Sequence, residues 1–224
     1  MKLSVIVPVL NDAQQLPGTL EGLLPLVRQG TEVIVADGGS EDGSAAVAER
    51  AGFTVVRAAH GRARQMNAGA ALATGDVLLF LHADTQLPQG AGVSIAQALA
   101  DNRFSWGRFD VRISGRPFML RVVSRMMNLR SRVTGIATGD QAMFVTRPAF
   151  DAVGGFPDQP LMEDIELSSR LLSLSRPACI ARCVTTSGRR WETRGVWRTI
   201  LLMWRLRWDY WRGVPARQLA EAYR

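Results

Sequence analysis

Four short apolar, β-branched runs, at residues 3–9, 32–36, 54–57 and 77–82, are separated by longer stretches with helical periodicity at 16–28, 44–51 and 63–73. Strand-length apolar runs alternating with crossover-length helices are how a buried parallel sheet looks in sequence, and they restrict the first half to an α/β doubly wound arrangement. In such a sheet ligands bind beyond the carboxyl ends of the strands. Here those exits are polar. Strand one leads into Asn11-Asp12, strand two into Asp37-Gly38-Gly39-Ser40-Glu41-Asp42-Gly43-Ser44, and strand four into His82-Ala83-Asp84. Carboxylates therefore gather at one sheet edge.

The second half is less regular. Strands are expected at 108–113 and 141–146, flanking a helix at 117–133. No repeat or low-complexity linker divides the 224 residues, a length suited to one domain with a sizeable core. The expectation is one domain over 1–224: a nucleotide-binding half (1–100), an acceptor-side half (101–194) and a basic amphipathic helix and tail (195–224).

A net charge of +7 marks a surface that attracts anions, whether phosphorylated substrate, lipid or nucleic acid. Cys179 and Cys183, spaced C-x3-C with no second cluster, suit neither a zinc site nor a disulfide framework. The opening apolar run is too short for a signal sequence, and no run of about eighteen apolar residues occurs. A cytoplasmic chain is expected.

Four groups carry the chemistry. The Asp37–Ser44 stretch is either a strand-to-helix turn or a donor contact, with Asp37 at a strand tip where it can accept hydrogen bonds from a base or ribose. His82 and Asp84 lie two residues apart, which on a strand turns both to one face; Mg²⁺ or Mn²⁺ bridging diphosphate oxygens would suit them, and a turn capped by Asp is the plain alternative. Glu163-Asp164-Ile165-Glu166 opens a helix, where acidic residues either complement its dipole or supply a base for an attacking hydroxyl. His60-Gly61-Arg62-Ala63-Arg64 begins another helix, as a phosphate-holding end or a solvated basic turn.

The opening Ser4-Val5-Ile6-Val7-Pro8-Val9-Leu10-Asn11-Asp12, the Asp37–Ser44 loop, the Gly61-Arg62-Ala63-Arg64-Gln65-Met66-Asn67 helix start and the Glu163-Asp164 pair together resemble the family 2 glycosyltransferases of the GT-A fold, over nearly the whole chain. His82-Ala83-Asp84 and the closing Thr186-Ser187-Gly188-Arg189-Arg190-Trp191-Glu192 are similar to a small bacterial subgroup often called radical-SAM/selenodomain-associated transferases. The resemblance implies a GT-A fold with a mostly parallel mixed sheet flanked by helices. It further implies inverting transfer of a sugar from a nucleotide diphosphate donor to a hydroxyl acceptor.

Carried over residue by residue, the resemblance implies nucleotide-sugar contacts at Pro8, Asn11, Asp12, Asp37, Gly39, Arg62, Arg64, Asn67, His82, Ala83, Asp84, Arg190 and Trp191. Asp164 takes the place of the general base, with Glu163 beside it. His82-Ala83-Asp84 stands where the family has Asp-x-Asp, so Asp84 matches the metal-binding second Asp and the first is lost. Mg²⁺ or Mn²⁺ is the implied cofactor.

Trp197, Leu201, Trp204, Trp208 and Trp211 recur at helical spacing in 195–213, with Arg198, Arg205 and Arg212 in a row beside them. Such a stripe suits an anionic membrane surface, which would place the chain peripherally at the inner face, or packing on its own domain or a second copy. A basic stretch at 116–132 adds Phe118, Val122, Met126, Leu129 and Val133 on one face. Among competing readings, a sugar nucleotidyltransferase lacks its glycine-rich signature after strand one, and a dinucleotide oxidoreductase lacks G-x-G-x-x-G. A nucleic-acid-binding protein would not need carboxylates at several strand ends, so no nucleic-acid partner is expected. A non-catalytic nucleotide-sugar sensor is the fourth reading.

Overall fold

The computed structural model describes residues 1–223. The first half follows the expected alternation: β1 (Leu3–Val9), α1 (Leu16–Arg28), β2 (Glu32–Asp37), α2 (Ser44–Arg50), β3 (Thr54–Arg57), α3 (Arg62–Leu72) and β4 (Val77–Phe80). All seven residues of β1 are buried, as expected for a strand covered on both faces. Next come β5 (Thr85–Gln86), α4 (Ala91–Leu99), β6 (Trp106–Ile113), α5 (Met119–Thr134), a 3-10 turn at Gly139–Gln141, β7 (Phe144–Thr146) and α6 (Arg147–Ala152). The chain continues through α7 (Glu163–Leu171), β8 (Ala178–Thr186), α8 (Arg189–Arg194), α9 (Val196–Trp211) and α10 (Ala216–Tyr223).

One eight-stranded sheet, in the order β3-β2-β1-β4-β7-β6-β8-β5, takes strands from both halves. β1, β2, β3 and β4 are mutually parallel, β7 runs antiparallel to both β4 and β6, and β8 lies parallel to β6 with a register break at Phe109/Asp110. Two strand expectations shift. The strand foreseen at 141–146 begins only at Phe144, because Gln141 belongs to the 3-10 turn, and β6 starts two residues before 108. β8, which holds both cysteines, was not foreseen: Arg182 and half-exposed neighbours break the apolar run by which buried strands are recognised.

Alternation on β1 divides the core. Val5, Val7 and Val9 face one side, with Leu16, Leu20 and Leu23 of α1 and Ile95 of α4, while Ile6 faces the other with Ala63, Met66 and Ala70 of α3. On this second side α3 lies so close that a Cβ on Gly69 would come 2.5 Å from Ile6 Cγ2. That approach fixes where the start of α3 sits above the ends of β1 and β2.

α5 is fastened to β6 mainly by polar groups. Arg108 is fully buried; it donates to Ser131 Oγ (3.0 Å) and the Asn128 carbonyl (3.1 Å), and pairs with Asp110. β7 covers only Trp106 and Gly107 of β6, so the Asn128 side chain takes up the main chain of Val111, accepting its N–H at 2.9 Å and donating to its carbonyl at 3.0 Å. A buried main chain left unpaired would cost about 1–3 kcal/mol per group, which is why the inward face of α5 carries hydrogen-bonding groups.

Candidate active site

The exits of β1 and β2 are joined by side chain to main chain bonds. Asn11 adopts a left-handed backbone (φ 51°), which turns its side-chain oxygen to accept the Glu41 N–H at 2.8 Å while its own N–H donates to Ser40 Oγ at 3.0 Å. The Asp12 N–H donates to Ser44 Oγ, and the Ala13 N–H to Asp42 Oδ2. Asp37 is buried and accepts the N–H groups of Gly39 (3.1 Å) and Ser40 (3.2 Å), so its carboxylate shapes the loop from inside. Pro8 is buried within β1, opposite Ala36. Below them the Gln65 amide, buried, donates to the carbonyls of Val9 (2.6 Å) and Ala36 (2.9 Å), tying the two strand ends together. Gln65 was not expected as a site residue.

Beyond β4 the chain turns immediately, with the Thr85 N–H donating to the His82 carbonyl at 3.0 Å. β4 ends at Phe80, so the strand alternation expected to turn His82 and Asp84 to one face does not extend to them. They have separate partners. His82 Nδ1 meets Asp140 Oδ1 at 3.2 Å, whereas Asp84 Oδ1 accepts from Thr85 Oγ1 (3.3 Å) and Thr186 Oγ1 (3.4 Å). Between them, buried Ala83 offers its carbonyl to Thr19 Oγ1 at 2.6 Å. Asp84 lines a cavity of about 340 Å³ with Gln14, Thr19, Gln86, Ser114 and Ser187; neither Asp37 nor Asp164 lines it. Asp12 lies close enough to sense Asp84. Burial raises its carboxyl above the usual range against the pull of Arg189 at 3.5 Å, and the Asp84 and Asp42 charges add to the rise.

The third group forms where α7 begins. Met162 takes a left-handed backbone (φ 65°) and starts the helix with Glu163 and Asp164. Asp164 Oδ2 accepts the Gly139 N–H at 2.8 Å and Oδ1 accepts the Ile165 N–H at 2.7 Å, so the 3-10 turn and the helix orient one carboxylate. Glu163 is buried and its carboxyl is raised, chiefly by desolvation and then by the Asp164 charge, with Arg62 at 3.8 Å opposing. Asp140 moves the other way: against desolvation, the His82 hydrogen bond and the charges of His82, Arg62 and Arg190 hold it below the usual range.

Three guanidinium groups surround these acids. Arg62 senses Glu163, Asp140 and Asp164; Arg130, on α5, senses Asp164 and Asp140 and has Nε and Nη2 buried without a partner among the described residues. Arg190 stacks on Tyr223, 3.6 Å from its ring, and donates to the Tyr223 carbonyl at 3.2 Å. Asp140 and Arg130 were missed by sequence reasoning. The polar Gly139-Asp140-Gln141 run between a helix and an apolar strand was a usable signal for the first, but nothing local distinguishes Arg130 from the other arginines of α5.

Three other expected donor contacts stand elsewhere. Arg64 forms a two-pronged pair with Asp158 (2.7 and 2.9 Å). Asn67 accepts the Phe156 N–H at 3.0 Å and donates to its carbonyl at 2.8 Å, joining α3 to the loop before α7. Trp191 lines a second cleft, of about 530 Å³, with Arg116, Pro117, Glu192, Gly195 and Val196.

The family model for glycosyl transferase family 2 matches residues 4–150, more than half of the chain. The chain belongs to glycosyl transferase family 2. It is 30% identical over 163 residues to an undecaprenyl-phosphate 4-deoxy-4-formamido-L-arabinose transferase of Serratia proteamaculans, a match covering 62% of this chain and 46% of that one. The chain thus spans about half the length of the curated relatives it matches. In fold it is similar to S. aureus TarS 1-349 in complex with UDP-GlcNAc (TM-score 0.67, 19% identity, 84% of this chain and 58% of that one). It is likewise similar to the mannosyltransferase PcManGT of Pyrobaculum calidifontis in complex with GDP-Man and Mn²⁺ (TM-score 0.61, 22% identity, 82% and 56%). A mixed sheet flanked by helices is the GT-A architecture of these structures, as the resemblance implied.

A divalent cation fits this family 2 chain only as a shared site. Among the described residues no three His, Cys, Asp or Glu side chains are placed to enclose an ion. Asp84 Oδ2, however, accepts no hydrogen bond among the described residues, and Asp84 and Asp12 repel each other beside a cavity. Mg²⁺ and Mn²⁺ commonly bind through one or two carboxylates with phosphate oxygens and water completing the shell; of such a set the chain itself supplies the Asp84 carboxylate, with Asp12 near it.

Proposed function

We propose that this chain is an inverting glycosyltransferase of the radical-SAM/selenodomain-associated kind, working as one catalytic domain that takes a sugar from a nucleotide diphosphate donor. The β1 and β2 exits (Asn11, Asp12 and the Asp37–Ser44 loop) bind the nucleoside, and Asp84 would hold Mg²⁺ or Mn²⁺. Such an ion, when bound, would neutralise charge on the departing diphosphate. Arg62 and Arg190 carry positive charge beside Asp140, and Asp164 accepts the proton of the acceptor hydroxyl as its oxygen attacks the anomeric carbon.

One observation carries this reading: Asp164 is oriented by two main-chain N–H groups, one of them from Gly139 in the 3-10 turn whose next residue, Asp140, meets His82. A nucleotidyltransferase or a passive sensor has no evident use for a fixed carboxylate there. Asp164→Asn is expected to keep donor-induced thermal stabilisation while turnover falls about 10²-fold or more, as for loss of a general base. Loss of donor binding in that variant would reassign the residue.

A second reading concerns the acceptor. The curated relatives are named for undecaprenyl phosphate, and the unpartnered Arg130 nitrogens beside Asp164 would suit an anionic acceptor, in which a phosphate oxygen attacks and needs no base. Such an acceptor would place the chain at the inner face of a membrane; no helix among the described residues is long and apolar enough to cross one. Full turnover of Asp164→Asn together with loss in Arg130→Ala would favour it.

A further inference from the structure

α9 has two apolar faces. One is used by the fold: Leu206 is buried, and Leu202, Met203 and Tyr210 pack beside it against Met162, Leu219 and Tyr223. The other holds Trp197, Leu201, Trp204, Trp208 and Trp211, half a helical turn away and fully outward, with Trp197, Trp204 and Trp211 keeping 66%, 69% and 76% of their surface exposed. The expectation that this stripe could pack on its own domain is therefore corrected: the domain packs on the opposite face of the helix.

α5 repeats the arrangement. Its inward face is Leu120, Ser124 and Ser131, with the Asn128 and Arg108 bonds, and on another face Val122, Met126, Leu129 and Val133, with Phe118 just before the helix, are exposed. The two stripes start at one place, since Pro117 and Val196 line the same 530 Å³ cleft and the Arg116 N–H donates to Glu192 Oε1 at 2.8 Å across it. Phe118 and Trp197 are the next residues on either side.

Charge decides what could cover such a surface. α5 contains no acidic residue; Arg121 and Arg125 are exposed along one edge of its stripe. On α9 Arg198 and Arg205 flank one edge and Arg207 the other, and the single acid, Asp209, already pairs with Arg205 at 3.6 Å. A second copy packed symmetrically would bring one arginine-edged stripe against another, with no unpaired acid on either helix to receive the guanidinium groups. Duplex nucleic acid would accept the arginines and leave ten large apolar side chains unmatched. An occupant that is apolar at depth and anionic at its surface satisfies both, because indole settles at the headgroup boundary and guanidinium pairs with lipid phosphate.

We propose that the exposed stripes of α5 and α9 form one docking surface for an anionic lipid bilayer, on which the chain rests peripherally. The inference stands independently of the donor chemistry. The test is co-sedimentation of the full chain with phosphatidylcholine vesicles and with phosphatidylglycerol-containing vesicles, alongside quenching of tryptophan emission by brominated lipid.

Binding to the anionic vesicles, weakened by salt, with quenching is expected. Trp204→Ser/Trp208→Ser and, separately, Phe118→Ser/Met126→Ser should each lower partitioning by about 10-fold or more, with unchanged thermal stability because the residues touch no core. Failure of the native chain to bind anionic vesicles at low salt would overturn the proposal. So would a concentration-dependent dimer, seen in sedimentation velocity, that the tryptophan variant disperses without any vesicle binding. Donor-induced thermal stabilisation, measured without lipid, reports on the transferase reading alone and should be the same in every variant.

Discussion

Gly139→Ala tests the orientation of Asp164 without touching its carboxylate. A Cβ at residue 139 would stand 2.3 Å from His82 Nε2 and 2.6 Å from its Cε1. The imidazole has little room to yield, being only 14% exposed and held to Asp140 at 3.2 Å. Relief of roughly 1 Å, the difference between 2.3 Å and ordinary contact from 3.4 Å, must come from the ring or from the turn. If the turn moves, the 2.8 Å bond from the Gly139 N–H to Asp164 Oδ2 opens beyond hydrogen-bonding range. A lost bond to a charged acceptor costs about 1.5–3 kcal/mol, which corresponds to roughly a 10- to 150-fold loss of rate if it falls on the transition state. If the ring moves instead, the His82–Asp140 pair breaks and the stability that Asp140 gains from it falls on the acid side. The assay is release of nucleoside diphosphate from whichever donor stabilises the chain in a thermal-shift screen, with water or a lipid extract supplying the accepting oxygen. Turnover should fall at least about 10-fold with donor stabilisation retained. Native turnover together with a native acid limb of stability would refute the reasoning, and Gly18→Ala, where a Cβ meets nothing within 4 Å, is the control.

Asp84→Ala should remove divalent-dependent turnover, a loss of about 10²-fold or more, and undiminished activity would refute the metal assignment. Asn67→Ala strands the Phe156 N–H and carbonyl, so a cost of about 2 kcal/mol, roughly 4–8 °C in Tm, is expected, and an unchanged melting curve would show the clamp to be idle. Two carboxyls should act oppositely in stability against pH. Asp140 is held low in the folded state, so its contribution is present above its unfolded pKa and is lost as pH falls through the folded value; Asp140→Asn should flatten that acid limb. Glu163 is raised, so it favours folding below its unfolded pKa of about 4.3 and loses that contribution as pH rises through the folded value. Glu163→Gln should therefore hold or raise Tm near neutral pH, and a clear drop there would contradict the assignment.

Residues 1–100 could be read as an alternating sheet because buried parallel strands are continuous apolar runs, and their polar exits marked the edge at which a ligand was expected. β1, α1 and β3 agree with expectation to the residue, as does the acidic start of α7. Local pattern fixes periodicity, and periodicity fixes which stretch is strand or helix. It does not fix partners far along the chain. Arg64 meets Asp158 across 94 residues and His82 meets Asp140 across 58, so which carboxylate each side chain meets was decided only when the chain closed on itself. The same holds for the four tryptophans of α9: helical spacing put them on one face, and only the packing of Leu206 on the opposite side turned that face to the outside.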